Sequence, residues 1–288
     1  MPAIETVEGK PEPAWMRSRV YAGDLLLVRG MAAAERLVEH FRGVVEARFG
    51  SDDPTTAQQR MSSQAWQREA RELRAAGKKD PVARELMTAL FAAVDLPPER
   101  TAADVVNLRC QPHSDSPGPD ARHTLGAHRD TWASNVYQQI NWWLPVYPIS
   151  PRRTITFFPF YWDQPIANDS ADWDLAAIRA EVRAARAAQR EPSIRNTPEP
   201  TAPIHPAHSL PAVVQPGELL LFSGAHLHAS VPNDSGRARF SLELRSVDRE
   251  DFQRGVGAPN VDGDAPHAGL HWFRGLHDNQ PLGPAVAT

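Results

Sequence analysis

The chain has a single cysteine, Cys110, which excludes an internal disulfide framework and fits a reducing, cytoplasmic setting where a lone thiol packs as a small apolar side chain. No run approaches the roughly 18 consecutive apolar residues that span a bilayer. Met1 to Met16 is acidic and proline-containing without an apolar centre, so the sequence reads as neither membrane-spanning nor exported. Charge of one sign is also scarce: the formal net charge is -4, and the 31 lysines and arginines are spread along 288 residues. With no basic tract, nucleic acids and anionic membranes are disfavoured as partners, which leaves a small molecule as the default ligand. No internal repeat and no clear domain boundary appears. The length suffices for one substantial core, and 1–288 is read as a single domain whose oligomeric state nothing in the sequence sets.

What is present divides into a helical part (1–100), a strand-rich part (104–248) and a tail (249–288). Asp24 to Val28 reads as a strand. Apolar residues at helical spacing over Met31 to Phe49, followed by Ser63 to Ala76 and Pro81 to Val94, predict three helices. From Asp104 the pattern changes to short alternating or apolar runs bounded by Pro, Gly, Asn or Asp. These are Val105 to Gln111, His123 to Asp130, Val136 to Val146, Arg153 to Pro159, Val213 to Phe222, Leu227 to Pro232 and Arg237 to Val247. Seven or so strands with short turns predict a mainly β fold with flanking helices, as an antiparallel sandwich or barrel. Pro112 to Asp120 reads as a loop. Asp172 to Arg190, alanine-rich with one apolar side, predicts an inserted helix; Glu191 to Pro211 reads as loop and Val256 to Thr288 as a surface tail.

Chemistry concentrates at Gly126 to Thr131. If this stretch is extended, His128 and Asp130 share a face and can hold one edge of a metal ion. A second imidazole would complete a facial set of two histidines and one carboxylate, with positions left open. After the Gly217 to Phe222 strand, His226 and His228 both qualify. His228 is favoured because Ser230 shares its face and the turn Pro232 to Gly236 returns the chain as the Arg237 strand. Arg239 and Ser241 then share a face and can grip a carboxylate, Arg237 being the alternative clamp. With no thiolate ligands, this nitrogen and oxygen set suits iron(II) with a chelating 2-oxo acid better than structural zinc.

These residues carry a resemblance to the iron(II)/2-oxoglutarate-dependent dioxygenases, and among them to the phytanoyl-CoA dioxygenase and ectoine hydroxylase group. His128 and Asp130 match its His-x-Asp, His228 its distal histidine, Ser230 the serine two residues on, and Arg239 its 2-oxoglutarate arginine, with Ser241 completing an Arg-x-Ser pattern. The similarity covers roughly Val105 to Val247. It implies a double-stranded β-helix (jelly roll, cupin-like) core with N-terminal helices and one inserted helix. It also implies Fe(II), 2-oxoglutarate and O2, and hydroxylation of a second substrate with release of succinate and CO2. A carboxylate at position 130 counts against a halogenase. The group's glycine-rich segment before a Pro-Gly-Ser-His signature is missing, its place taken by Ser150 to Trp162.

Other residues are expectations of a lesser kind. Gln139 and Asn141 share a face opposite Ile140 and Trp142 and are assigned to 2-oxoglutarate. Thr131, Trp132 and Arg109 are assigned to the substrate, which would carry an anionic group if Arg109 faces the pocket. His113, His123 and His226 read as core or loop histidines, Arg245 as lying further down its strand or at the surface, and His267, His271 and His277 as belonging to the tail. The aromatic run at Phe157, Phe160, Tyr161 and Trp162 reads as packing or a lid. Two other functions fit the same scaffold: a binding or regulatory protein without turnover, and a cupin-type metal-dependent hydrolase or isomerase that needs no 2-oxo acid.

Overall fold

The computed structural model describes residues 4–114, 126–188, 190 and 197–283. His123, and most of the expected loop over 112–120, lie outside them. Eleven strands are described: β1 (Ile4–Glu8), β2 (Leu25–Arg29), β3 (Thr101–Ala103), β4 (Asn107–Gln111), β5 (Ile140–Pro145), β6 (Ile155–Phe157), β7 (Leu210–Ala212), β8 (Leu219–Ser223), β9 (His228–Ser230), β10 (Arg239–Asp248) and β11 (Arg274–Gly275). The α-helices are α1 (Pro13–Tyr21), α2 (Ala32–Phe49), α3 (Ser63–Gly77), α4 (Pro81–Ala93), α5 (Thr131–Ser134), α6 (Leu175–Ala187) and α7 (Arg249–Arg254).

The strands form two sheets. The larger runs β1-β2-β8-β5-β10-β3-β11, with β4 also on β10, and is antiparallel except for the parallel β1-β2 pair; the smaller is antiparallel β7-β6-β9. Strand β10 is the spine of the larger sheet. One of its edges pairs with β5, while the other takes β4 along its first half and β3 at its end.

Period-2 alternation sorts the side chains of the larger sheet into two layers. Leu26, Val28, Leu108, Cys110, Ile140, Trp142, Leu144, Leu219, Leu221, Phe240, Leu242 and Leu244 pack on one face against the helices. Helix α2 meets that face with Ala34, Leu37, Val38, Phe41 and Val45, spaced for a single helical stripe, and ends at Gly50 with φ of 88°. On the opposite face Leu25, Leu27, Trp143, Leu220 and Phe222 meet Ile155, Phe157 and Ala212 of the smaller sheet. The polar candidates Arg109, Asn141, Arg239 and Ser241 have this second parity, which puts them between the sheets.

Several expectations are corrected. The stretch before Asp24, to which no element was assigned from the sequence, contains β1 and α1, and the loop over Glu191 to Pro211 runs into β7. The inserted helix starts at Leu175, because the Asp174 carboxylate accepts from the N–H groups of Ala176 (2.8 Å) and Ala177 (3.0 Å) and caps it there. The tail is a packed segment: Phe273 is fully buried and β11 pairs with β3. No helix among the described residues is long and apolar enough to cross a membrane.

The contact between the helical layer and the larger sheet is tested at Phe91 of α4, whose ring meets Trp142 edge-on with centroids 5.2 Å apart. Phe91→Ala is expected to destabilise the fold by about 3–5 kcal/mol, seen as a lower denaturation midpoint, while divalent-metal affinity well below the melting temperature stays at the wild-type value.

Candidate functional site

The His128 segment is not the regular strand expected. His128 forms an isolated antiparallel bridge with His228, its N–H donating to the His228 carbonyl (2.9 Å) and the His228 N–H to its own carbonyl (3.0 Å). Two residues later Asp130 has helical dihedrals (φ -60°, ψ -31°), and its carbonyl accepts from Ser134 N–H (2.9 Å) to open α5. The ligand atoms therefore meet through a turn out of a bridge and not through strand alternation. His128, Asp130 and His228 each offer one ligand atom, all within 4.8 Å of one another, and no other such cluster of three or more His, Cys, Asp or Glu occurs among the described residues.

The imidazoles are held in one tautomer. Nδ1 of His128 donates to the Gly126 carbonyl (2.8 Å) and Nδ1 of His228 to the His226 carbonyl (3.0 Å), which makes Nε2 of each ring the atom that would meet a metal. The rings lie 4.4 Å apart, with His228 packed on Phe157 and Phe222. His226 is turned away: its Nε2 lies 3.0 Å from the Gly23 carbonyl, its Nδ1 faces the Ser223 carbonyl, and its ring lies against Trp162.

Asp130 is held from behind. Its Oδ2 accepts from Asn141 Nδ2 (2.6 Å) and Gln139 Nε2 (2.9 Å), and Oδ1 points to His128 Nε2 at 3.4 Å. Gln139 and Asn141 therefore touch the candidate ligand carboxylate itself. Burial opposes its ionisation, but the His128 hydrogen bond and the histidine charges outweigh this and hold the carboxyl well below the usual carboxylate range. For His128, burial favours the neutral ring, yet the Asp130 hydrogen bond and charge prevail and it keeps its proton to higher pH than an ordinary imidazole. Burial pushes His228 down to about 4.

The three clustered side chains open onto a cavity of about 40 Å³, also lined by Asn141, Trp143, Ile155 and Phe222 and by Arg109, Glu243 and Arg245 of the larger sheet. Arg109 does face this cavity, with Nε (2.8 Å) and Nη2 (2.7 Å) on Glu243 Oε2, so its charge is balanced by the protein. Arg245 is ion-paired with Asp104. Thr131 and Trp132 are buried beside Asp130 but are not among the lining residues. Arg245, expected further down its strand or at the surface, lines the cavity with Glu243, which was not singled out from the sequence; both follow Arg239 and Ser241 at alternate positions of β10.

Arg239 is 4 % exposed and lies on the same face. Its Nη1 donates to the Thr154 carbonyl (2.5 Å) and its Nη2 to Ser230 Oγ (3.1 Å), with the guanidinium 5.9 Å from the Trp143 ring centroid. Three buried donors nearby have no partner: Arg239 Nε, Ser241 Oγ and Trp143 Nε1. Unpaired buried donors are costly, and an anionic group between them would satisfy them. The alternative clamp, Arg237, is a surface residue bound to Asp53 and to Thr55 Oγ1.

No protein-family model matches the chain, and no curated protein matches it. Similar solved structures include EvdO2 from Micromonospora carbonacea var. aurantiaca, 11% identical over 86% of this chain and 94% of that one, with a TM-score of 0.48. AviO1 from Streptomyces viridochromogenes Tue57 is 18% identical over 82% of this chain and 95% of its own, with a TM-score of 0.42. The epimerase SnoN, in complex with Fe3+, alpha ketoglutarate and nogalamycin RO, is 15% identical over 91% and 98%, with a TM-score of 0.44. Likeness at this level assigns no activity.

Two outcomes follow from that geometry. Asn141→Ala frees one side of the Asp130 carboxylate and is expected to weaken divalent-metal binding by about 10–100-fold, read by anaerobic titration of the folded variant. Because a metal must displace the proton from His128, affinity is expected to rise with pH and level off only above the ordinary imidazole value of about 6.5. An affinity that is flat from pH 6 to 8 would contradict the His128–Asp130 coupling.

Proposed function

We propose that the protein is a non-haem Fe(II)/2-oxoglutarate-dependent oxygenase on a double-stranded β-helix core, hydroxylating a small-molecule substrate with release of succinate and CO2. The observation that carries this reading is the joint presence of the two-histidine, one-carboxylate cluster and the partnerless donors around Arg239 on the same inner face. The donor set fits iron(II): two neutral imidazole nitrogens and one ionised oxygen, with no thiolate, on one side of a cavity. His128, Asp130 and His228 would hold the iron, and Arg239, Ser241 and Ser230 the distal carboxylate of 2-oxoglutarate. When bound, iron with 2-oxoglutarate and O2 supplies the oxidising power for attack on an unactivated C–H bond.

The chain's own contribution is binding, orientation and exclusion of water. Arg239 presents a fixed guanidinium in a buried setting that draws its pKa down to about 10, so its charge is scarcely hydrated and available to an anion. Trp143, Ile155 and Phe222 form the apolar side of the cavity beside His128, Asp130 and His228, an environment that strengthens each polar contact within it. Gln139 and Asn141 hold the Asp130 carboxylate, a role distinct from direct contact with 2-oxoglutarate. Arg109 and Glu243 present a paired charge on the remaining wall, where a polar group of the primary substrate can exchange into the pair.

Asp130→Ala is expected to abolish succinate formation from 2-oxoglutarate under air and iron while the circular dichroism spectrum stays that of the wild type. Arg239→Gln is expected to raise the KM for 2-oxoglutarate by at least 100-fold, since a charge-assisted bidentate grip contributes about 3 kcal/mol or more. Turnover of a substrate by the metal-loaded protein without 2-oxoglutarate would point instead to a cupin-type hydrolase or isomerase.

A further inference from the structure

Between the two ligands of the His128 to Asp130 segment lies Arg129, which turns away from the cavity and is 2 % exposed. Its guanidinium is fully engaged. Nη1 donates to the Ala225 carbonyl (2.6 Å), Nη2 to the Tyr161 carbonyl (2.6 Å), and Nε approaches Asp262 Oδ1 at 3.0 Å, with side chains 3 % and 6 % exposed. Asp262 is equally occupied: Oδ1 accepts from Trp132 Nε1 (2.7 Å) and Oδ2 from the Ile166 N–H (3.0 Å). Gly263 beside it is so close that an added Cβ would stand 2.7 Å from the Tyr137 hydroxyl.

The partners of this ion pair make its position informative. Ala225 lies in the bend that leads from β8 into His228. One guanidinium therefore ties the backbone carrying His128 and Asp130 to the backbone carrying the third ligand. The carboxylate that neutralises it comes from the C-terminal segment, more than a hundred residues away in sequence. Removing one partner of a buried pair leaves an uncompensated charge, and the local backbone must move to rehydrate it.

We propose that Arg129 and Asp262 are positioning residues for the metal centre, so that docking of the segment around Asp262 and metal binding are thermodynamically coupled. The inference rests on the metal-centre reading above. Coupling of this kind is reciprocal: if the docked segment raises metal affinity, bound metal must stabilise docking by the same factor. Asp130 follows Arg129 directly, and the Trp132 ring that binds Asp262 belongs to the short helix that Asp130 opens. A displacement of Arg129 is thus transmitted to the ligand set through one or two peptide units.

The test uses the full chain. Anaerobic Fe(II) and Co(II) titrations of wild type, Asp262→Asn and Trp132→Phe are run well below each protein's melting temperature, with circular dichroism to verify folding. Asp262→Asn keeps the shape and removes the charge, and is expected to weaken both metals by about 10-fold or more, with altered Co(II) d–d bands; Trp132→Phe should give a smaller loss in the same direction. In the wild type, saturating metal should slow proteolytic cleavage within 255–270. Folded variants with wild-type metal affinity and spectra, or a cleavage rate indifferent to metal, would overturn the coupling while leaving the metal centre intact. Failure of the wild type to bind either metal would overturn the metal-centre reading and the coupling with it. Should Asp262→Asn not fold, Trp132→Phe and the protection experiment decide.

Discussion

The site depends on one backbone contact, the bridge in which His128 and His228 exchange both of their N–H···O=C hydrogen bonds. Residues opposed in this way in an antiparallel pair have Cα atoms about 5.5 Å apart, close enough for two imidazoles to address one ion. A hundred residues separate the two, so neither position means anything for metal binding until the sheets are formed. The carbonyls of Gly126 and His226 complete the arrangement by fixing which ring nitrogen carries the proton. Ligand geometry is thus a property of the main chain, and the side chains inherit it.

Strand β10 shows how a buried polar row coexists with a core. Its alternate residues Phe240, Leu242 and Leu244 pack against the helices, while Arg239, Ser241, Glu243 and Arg245 face the smaller sheet. Burying several charged groups on one strand face is tolerable only when each finds a counter-charge or a carbonyl. Glu243 meets Arg109, Arg245 meets Asp104, and Arg239 meets Thr154 and Ser230. Along this row, hydrogen-bonding capacity is left over at Arg239 Nε and Ser241 Oγ, with Trp143 Nε1 on the neighbouring strand, and a ligand has something to supply there.

Much of this was legible in the sequence, for identifiable reasons. Helix α2 and strand β10 announce themselves because one side of each must be apolar, and periodicity records that demand directly. The ligand cluster was legible because spacing restricts which histidine can pair with His128 and Asp130. What was not legible depends on distance in sequence. Nothing local marks Asp262 as the partner of Arg129, or the segment around Phe273 as part of a core, since both follow from where the chain returns after β10. Gln139 and Asn141 were placed on one face, but their hydrogen bonds to Asp130 were not foreseen, because parity gives direction and not reach. The expected strand at His128 failed for a related reason, a helical turn at Asp130 producing the same convergence that alternation would have produced.

The double amide grip on Asp130 Oδ2 has a consequence for the arithmetic of coordination. A carboxylate with both oxygens free can swing between one-oxygen and two-oxygen attachment, and each swing changes how many vacancies an octahedral ion retains. With Oδ2 occupied by Asn141 and Gln139, Oδ1 is the oxygen left to a metal, and the cluster would contribute three donor atoms. An octahedral ion held by these three atoms would keep its remaining positions for small molecules, room for a chelate and one further guest at the same time.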